Sequence, residues 1–177
     1  MSPLVIVLAS GRGERFLASG GSTHKLQAMM GTLTVLQHTL AAVRASGLAC
    51  HVEDAGHPGM GDSIAAAVRA NPRAGSWLIL PADLPLIQPD TLLTVARAPA
   101  APVVVPTYLG QRGHPVRFEA CCAEQLMDLR GEQGAASIVK AFGATLLPVD
   151  DEGCVTDIDT VQDLAHARTL WQRRHAR

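Results

Sequence analysis

Short apolar runs alternate with stretches of helical periodicity along this chain. The first run, residues 4–8, is wholly apolar, contains β-branched residues and is too short for a helix. Such a run is typical of a strand buried on both faces of a parallel sheet. Further strands are predicted at residues 48–52, 77–80, 103–105, 116–118 and 145–149, with a short extended segment at 155–158.

Helices are predicted between these strands, where apolar residues recur at helical intervals. They cover residues 33–45, 64–70, 88–97, 120–129, 135–142 and 160–172. Gly47 lies where the first helix would end, Asp62 or Ser63 is a candidate N-cap for the second, and Gly143 ends the fifth. The alternation predicts a single domain, residues 1–177, with a three-layer α/β/α architecture and a mostly parallel sheet.

The composition narrows the classes of partner. Of the 177 residues, 47% are hydrophobic but only 3% are aromatic, so Ala, Val and Leu must fill the core. The net charge of −1 provides no broad basic face, and we expect no nucleic-acid partner. No apolar run reaches the roughly 18 residues of a membrane span and no signal peptide is recognisable, so we expect no membrane partner. Four cysteines without a CxxC pair fit reduced thiols in a cytoplasmic protein.

The turn after the first strand is a candidate phosphate-binding loop. Residues 9–13 read Ala-Ser-Gly-Arg-Gly, and their small side chains let the backbone turn tightly and approach a ligand. Backbone N–H groups in such a turn bind anions, and Arg12, Arg15 and Lys25 add positive charge. The alternative is an ordinary strand-to-helix turn with surface cations. Ligand crevices form at the carboxyl ends of parallel strands, which favours the phosphate loop.

Acidic residues follow two later strands. Asp83 comes directly after the apolar run that ends at Ala82, so it is expected at the ligand-facing edge of the sheet, where it can hold Mg²⁺ on a nucleotide. The alternative role for Asp83 is to cap a helix. Asp157 and Asp159 lie on one side of an extended segment, and one of them or Thr160 has to cap the last helix. We expect two distant carboxylates to meet at one metal ion.

Other polar groups have weaker signatures. His114, in the loop Gly113-His114-Pro115, is a candidate contact for an anionic acceptor, or only part of a turn. Cys50, His51 and His57 imitate a zinc site, but no second pair has ligand spacing. The basic tail after Gln172 is most simply a solvated helix end. A metal-dependent hydrolase has no nucleophile motif behind it and ranks last among the functions considered.

Five motifs together resemble one family. They are LASGRGER with Lys25, Gly59-Met60-Gly61-Asp62-Ser63, Asp83-Leu84-Pro85, Gly113-His114-Pro115-Val116-Arg117-Phe118 and Asp157-Ile158-Asp159-Thr160. In this order they resemble the MobA-like NTP transferase family, whose fold is a GT-A-like, Rossmann-like nucleotidyltransferase fold. The likeness covers nearly the whole chain and is strongest to the molybdenum cofactor cytidylyltransferase (MocA-like) branch.

The resemblance implies an Mg²⁺-dependent enzyme that transfers a nucleoside monophosphate from an NTP to a phosphorylated acceptor and releases pyrophosphate. It implies that Arg15 and Lys25 neutralise phosphate charge and that Asp83 and Asp159 bind the metal. His114 would face the acceptor, a molybdopterin cofactor phosphate in the nearest branch. The residues it implies for holding the nucleotide are Leu8, Ala9, Ser10, Gly11, Gly13, Gly59, Gly61 and Ser63.

The choice of nucleotide rests on one position. The guanylyl branch usually carries glycine where this chain has Ser10, and the cytidylyl branch carries alanine, so the likeness favours CTP. A molybdoenzyme that receives the product is a further expected partner, and the chain is expected to be a monomer.

Two departures from the family pattern affect these expectations. Lys25 lies ten positions after Arg15, and the insert at residues 17–23 either displaces that lysine or folds over the phosphates. Residues 48–58 are too few for the strand, helix and strand that relatives place there, so one βα unit is expected to be missing. The alternatives are a transferase acting on a sugar or alditol phosphate and a non-catalytic nucleotide- or cofactor-binding chaperone.

Overall fold

The computed structural model describes residues 3–176. Within them the strands are β1 Pro3–Leu8, β2 Met29–Met30, β3 Leu33–Thr34, β4 Ala49–Glu53, β5 Ser76–Pro81, β6 Val103–Tyr108, β7 Gln111–Arg112, β8 Val116–Glu119 and β9 Thr145–Pro148. The α-helices of this part are α1 Glu14–Ala18, α2 Val35–Ser46, α3 Met60–Ala70, α4 Pro89–Ala96, α5 Ala123–Met127, α6 Ala136–Phe142 and α7 Val161–His175. None of these helices combines the length and apolar character that crossing a bilayer requires.

Seven strands form one sheet, in the order β4-β1-β5-β8-β6-β9, and β7 continues the line of β8 along β6. Strands β1, β4, β5, β6 and β9 run in one direction, whereas β7 and β8 run against them. The sheet is therefore mixed and mostly parallel, as the sequence predicted. The short strands β2 and β3 form a separate hairpin.

Alternate residues of β1 enter two different cores. Val5 and Val7 pack in a cluster with residues of α2, α4 and α7, whereas Ile6 packs with residues of α3, α5 and α6 on the opposite face. All three side chains are fully buried. Because successive side chains of a strand point to opposite faces, a fully apolar strand requires a helical layer on each side. This is the predicted three-layer α/β/α architecture.

The sheet ends at β4, which pairs only with β1 among the described strands. After Glu53, residues 54–59 lead directly into α3. No second βα unit intervenes within residues 48–60, in agreement with the short spacing in the sequence. β4 is consequently the edge strand beside the glycine loop.

The N-cap predicted for α3 is wrong. The helix begins at Met60, and its N-cap is Gly59 rather than Asp62 or Ser63. The side chain of Asp62 instead accepts a hydrogen bond from the backbone N–H of Gly131 at 2.8 Å. Its carboxylate is committed to a distant loop, which no local capping pattern reveals.

Two predicted elements differ in kind. The predicted extended segment 155–158 is not a strand: Val155 ends the 3-10 turn Glu152–Val155, and residues 156–158 belong to no helix or strand. The helix predicted at residues 120–129 is divided into the 3-10 turn Ala120–Cys122 and the short helix α5. By contrast, α2 ends as predicted at Gly47, whose positive φ of 70° suits a residue without a Cβ.

The basic tail is not merely solvated. Arg174 donates hydrogen bonds to the carbonyl oxygen of Leu86 at 2.7 Å and to Asp151 at 3.2 Å. Asp151 is buried and also accepts from the backbone N–H of Gln88 at 2.9 Å and the hydroxyl of Thr91 at 2.8 Å. This network joins the end of α7 to the start of α4. Arg177 lies outside the described residues.

Candidate active site at the carboxyl edge of the sheet

Four charged side chains from separate elements converge at the carboxyl end of β5. The ammonium of Lys25 donates to Asp83 Oδ2 at 2.7 Å and to Asp159 Oδ1 at 3.0 Å. Arg15 donates to the second oxygen of Asp159 at 2.7 Å. The structure thus brings together Arg15, Lys25, Asp83 and Asp159 as predicted, whereas Arg12 instead pairs with Glu14 at 3.7 Å on the surface.

Asp83 owes its position to the sheet and not to a helix cap. It lies two residues after the end of β5, whereas the N-cap of α4 is Gln88. The alternative assignment of Asp83 as a capping residue is therefore excluded. The cap of α7 is Thr160, which forms a capping box with Asp163 and leaves Asp159 to face Lys25.

The environment of this cluster fits a divalent cation. The Lys25 and Asp83 side chains are each 14% exposed, and Asp83 Oδ1 is buried with no hydrogen-bond partner among residues 3–176. An unpartnered buried carboxylate oxygen is costly, so it signals a missing ligand. Two carboxylates offer the hard oxygen ligands that Mg²⁺ or Mn²⁺ prefer.

The charges of the cluster alter each other's ionisation. Burial alone would lower the pKa of the Lys25 ammonium, but the charges and hydrogen bonds of Asp83 and Asp159 outweigh it and raise that pKa. A third carboxylate, Asp157, is exposed, and partial desolvation together with the charges of Asp83 and Asp159 raises its pKa. The ammonium of Lys25 is therefore protonated at neutral pH, and negative charge predominates among the carboxylates around it.

The insert at residues 17–23 does not displace Lys25 from the carboxylates. It places His24 against the glycine loop, where Nε2 lies 2.7 Å from the carbonyl oxygen of Gly11. Nδ1 of the same ring accepts from the backbone N–H of Leu26 at 3.2 Å, so Nε2 carries the proton and donates to Gly11. The loop and Lys25 are held by one segment. Nothing in the sequence marks His24 for this contact except its place directly before Lys25.

The glycine loop begins where β1 and β4 end. The backbone N–H of Ala9, which follows Leu8 at the end of β1, donates to the carbonyl oxygen of Glu53 at 2.8 Å. Gly13 has a φ of 66°, and a Cβ there would lie 3.1 Å from His24. This position therefore favours glycine for its left-handed conformation, and a Cβ there would also crowd the ring of His24.

The serine and glycine positions assigned to the nucleotide have defined contacts. The hydroxyls of Ser10 and Ser63 lie 2.7 Å apart and form a hydrogen bond between the loop and α3. A Cβ on Gly59 would lie 2.2 Å from the backbone of Gly131, and one on Gly61 would lie 2.6 Å from Gln133. These two glycines allow residues 130–134 to pack on the start of α3.

A cavity of about 730 Å³ is lined in part by Pro81 at the end of β5, Leu8 at the end of β1 and Met60 at the start of α3. Its walls are mainly apolar and include Ile79, Val105 and Val139, and its polar lining comes from Arg112, His114 and Lys140. Burial lowers the pKa of His114, although the negative charge of the nearby Asp83 acts in the opposite direction. Arg112 is the last residue of β7, directly before the loop Gly113-His114-Pro115, whereas nothing local marks Lys140.

His51 and His57, which were considered as zinc ligands, contact the carboxylate of Glu53 instead. His57 Nε2 lies 3.1 Å from Glu53 Oε1, and His51 Nε2 lies 3.5 Å from Glu53 Oε2. Cys50 is exposed. No group of three or more potential ligands with metal-binding geometry occurs among the residues that the structure describes.

A mixed sheet with a glycine loop, cations and paired carboxylates at its carboxyl edge defines a class of nucleotide-dependent transferases. Residues 45–146 match the MobA-like NTP transferase domain, which is more than half of the chain. The chain therefore belongs to the MobA-like NTP transferase family and is a nucleotidyltransferase by family, as the five motifs indicated.

Individual relatives agree with this assignment. Purine catabolism protein PucB of Bacillus subtilis is 33% identical over 119 residues, and the match spans 64% of this chain and 58% of PucB. The crystal structure of Rv0371c from Mycobacterium tuberculosis has a TM-score of 0.77 and 26% identity over 94% of this chain and 96% of its own. Rv0371c has also been solved in complex with manganese.

A third solved structure shares the fold alone. Mth528, a nucleotidyl transferase from Methanothermobacter, has a TM-score of 0.81 and 17% identity over 98% of this chain and 99% of its own. A match of this extent means that the arrangement of strands and helices around the site is common to both proteins.

Proposed function

We propose that this chain transfers CMP from CTP to the phosphate of a molybdopterin-type cofactor, with release of pyrophosphate and with Mg²⁺ as the metal. The observation that carries the proposal is the convergence of Lys25, Asp83 and Asp159, together with an apolar cavity whose His114 feels the charge of Asp83. The charged cluster suits a triphosphate, and we assign the cavity, which reaches Leu8 beside the glycine loop, to the organic part of the acceptor.

In this proposal Asp83 and Asp159 hold the magnesium ion, because they are the paired carboxylates at the centre of the cluster. The bound ion supplies positive charge to the triphosphate. The remaining positive charge comes from the chain itself. Lys25 and Arg15 lie beside the carboxylates. The backbone N–H groups of residues 10–13, in the turn after Ala9, are proposed to bind phosphate oxygens.

The chemical step needs positioning more than acid–base catalysis. An oxygen of the acceptor phosphate attacks the α-phosphorus of CTP in line, and pyrophosphate leaves on the opposite side. The attacking oxygen is already anionic, so no strong general base is required. The main barrier is the repulsion between two anions, which Lys25 and Arg15 reduce by neutralising charge where it accumulates.

The cavity favours a phosphorylated acceptor with a flat ring system, because the ring faces pack against apolar walls while the polar ring edges reach the few polar lining residues. A sugar or alditol phosphate exposes hydroxyl groups that need polar partners, whereas Ile79, Val105 and Val139 offer none. A heteroaromatic ring system is compatible with such walls. Arg112, His114 and Lys140 provide the polar positions at which the phosphate and ring heteroatoms are bound.

The preference for CTP is proposed from Ser10. Its hydroxyl is held by Ser63, so the side chain projects from the glycine loop in a fixed orientation. The guanylyl branch usually has no side chain at this position, which leaves more room beside the loop for a larger base. The serine therefore supports a pyrimidine nucleotide for this chain.

The direct test is pyrophosphate release by the purified protein with Mg²⁺, molybdopterin cofactor and CTP, GTP or ATP in parallel. We expect turnover with CTP and at least about tenfold lower kcat/KM with GTP and ATP. Turnover with a sugar or alditol phosphate, and none with molybdopterin cofactor, would show that the acceptor is that phosphate instead. If CTP binds in calorimetry but no acceptor supports turnover, the chain is a nucleotide-binding chaperone and the proposal is wrong.

A further inference from the structure

Lys25 uses the same carboxylates that the proposed function assigns to the metal. Its ammonium contacts Asp83 and Asp159 together, at 2.7 and 3.0 Å, from a 3-10 turn that belongs to neither carboxylate's segment. The side chain is only 14% exposed. This is more than a surface ion pair, because one cation is shared by two carboxylates at the point where divalent charge is needed.

We propose that Lys25 is an exchangeable cation: it neutralises Asp83 and Asp159 in the free protein and leaves them for the triphosphate when metal and nucleotide bind. This inference rests on the proposed function, because it requires a metal and an NTP at this cluster. It goes beyond that function by giving Lys25 two successive partners and by predicting how metal and nucleotide depend on each other.

Competition follows from the contacts and the charges. Lys25 already occupies one oxygen of each carboxylate, and Arg15 occupies the second oxygen of Asp159. Asp83 Oδ1 is the remaining buried oxygen without a partner among residues 3–176. A divalent ion bound to both carboxylates would face the ammonium at short range, and the two positive charges would repel strongly in this partly buried corner.

The side chain of Lys25 is flexible enough to move, and a bound triphosphate would offer its ammonium new partners. Its four-carbon side chain has several rotatable bonds, so the ammonium changes position without a change in the backbone. The anion-binding turn of residues 9–13 is braced by His24, which directly precedes Lys25. A triphosphate held by that turn offers the displaced ammonium new anionic partners nearby.

The consequence is positive coupling between metal and nucleotide. Metal alone has to displace Lys25 and leave it without a partner, so the free protein binds metal weakly. Nucleotide provides the new partner and thereby raises the metal affinity. By thermodynamic linkage, the metal raises the nucleotide affinity by the same factor. The free protein is thus protected against holding a metal ion without its substrate.

Arg15 provides a charge-matched comparison. It contacts Asp159 alone, and its side chain is 80% exposed. Solvent screens such an exposed pair, and its removal has a small effect. Lys25→Met and Arg15→Met delete the same charge from the same cluster, but only the first removes the cation shared by both carboxylates.

The first experiment measures Mn²⁺ binding by electron paramagnetic resonance for the wild type and both variants, with and without CTP. We expect Lys25→Met to bind Mn²⁺ alone about tenfold more tightly than the wild type, yet to bind Mn²⁺ with CTP more weakly. Arg15→Met should change the affinity for Mn²⁺ alone less than about threefold. A misfolded variant would lose both affinities and would not show opposite signs.

One result would overturn the cation exchange alone, and another would contradict the proposed function itself. An unchanged or weakened Mn²⁺ affinity of folded Lys25→Met, with normal joint binding of Mn²⁺ and CTP by the wild type, overturns the exchange. Failure of the wild type to bind Mn²⁺ and CTP together would instead contradict the proposed function.

A second experiment uses the wild type alone and does not depend on the folding of a variant. The chain has two lysines, Lys25 and the exposed Lys140, so trace acylation by an amine-reactive ester followed by peptide mass spectrometry reports on each. At Mn²⁺ concentrations that saturate the free protein, Lys25 labelling should rise by about fivefold or more, and a non-hydrolysable CTP analogue should suppress it again. Lys140 labelling should stay constant. Lys25 labelling that does not respond to saturating Mn²⁺ overturns the proposal.

Discussion

The backbone N–H of Ile158 donates a hydrogen bond of 3.0 Å to the carbonyl oxygen of Asp83. This bond fastens the segment before α7 to the segment that follows β5, although the two are far apart in sequence. Asp159 is the next residue after Ile158, so its carboxylate is carried to the side of Asp83. The paired carboxylates are therefore built by one long-range backbone contact rather than by a local motif.

Asp83→Asn should abolish most of the transfer activity and keep the fold. We expect pyrophosphate release to fall by at least about 10²-fold, because the variant loses negative charge where cationic charge must be held during the reaction. Circular dichroism should remain that of the wild type. The control is Asp90→Asn, an exposed aspartate in the first turn of α4, which should keep its activity within about twofold. Near-wild-type turnover of folded Asp83→Asn would remove Asp83 from the mechanism.

Lys140→Met should weaken binding of the phosphorylated acceptor without changing binding of the nucleotide. Lys140 lies on the lining of the apolar cavity, and its loss should raise the KM for the phosphorylated acceptor by about fivefold, as expected for an exposed charge pair. The KM for CTP should not change. Lys140→Arg should restore much of the acceptor affinity because it keeps the positive charge. A rise in the KM for CTP alone would place the nucleotide, and not the acceptor, in the cavity.

Gly59→Ala should destabilise the protein by about 1–3 kcal/mol, because the new methyl group would meet the backbone of Gly131. Gly56→Ala is the matched control in the same connection: a Cβ there has no neighbour within 4 Å, and we expect a change within about 0.5 kcal/mol. Urea denaturation measures both variants. Equal shifts for the two would show that residues 130–134 move away from α3 without cost.

Glu53→Gln should reduce stability at neutral pH but not in acid. Burial would raise the pKa of Glu53, but hydrogen bonds from His57, the backbone N–H of Ala55 and His51 outweigh it and lower the pKa below its ordinary value of 4.5. The ionised carboxylate therefore stabilises the fold above pH 4.5, and this contribution disappears as the pH falls through the lower pKa of the folded state.

Urea denaturation across the pH range tests this sign. Glu53→Gln should be less stable than the wild type at pH 7, and the difference should shrink once the pH is below 4.5. Asp54→Asn, at the exposed neighbouring position, should follow the wild type throughout. A difference that stays constant with pH would mean that Glu53 acts through packing alone.

Local signals predicted much of the architecture because they act within a few residues. The buried run of β1, the end of α2 at Gly47 and the alternation of strands with helices all depend on the periodicity and conformational preferences of nearby residues. The prediction failed at the start of α3, where Asp62 bonds to Gly131 instead of capping its own helix. A side chain with a strong long-range partner does not obey a local preference.

The sequence by itself determined the class of fold, the glycine loop and the identity of the charged residues, because periodicity, turn chemistry and residue type are local properties. Only the tertiary structure decided that Lys25 joins Asp83 to Asp159, that His24 braces the loop and that Lys140 faces the cavity. Each of these contacts connects positions on different elements. They arise from the way the sheet and its two helical layers pack, which no window of neighbouring residues encodes.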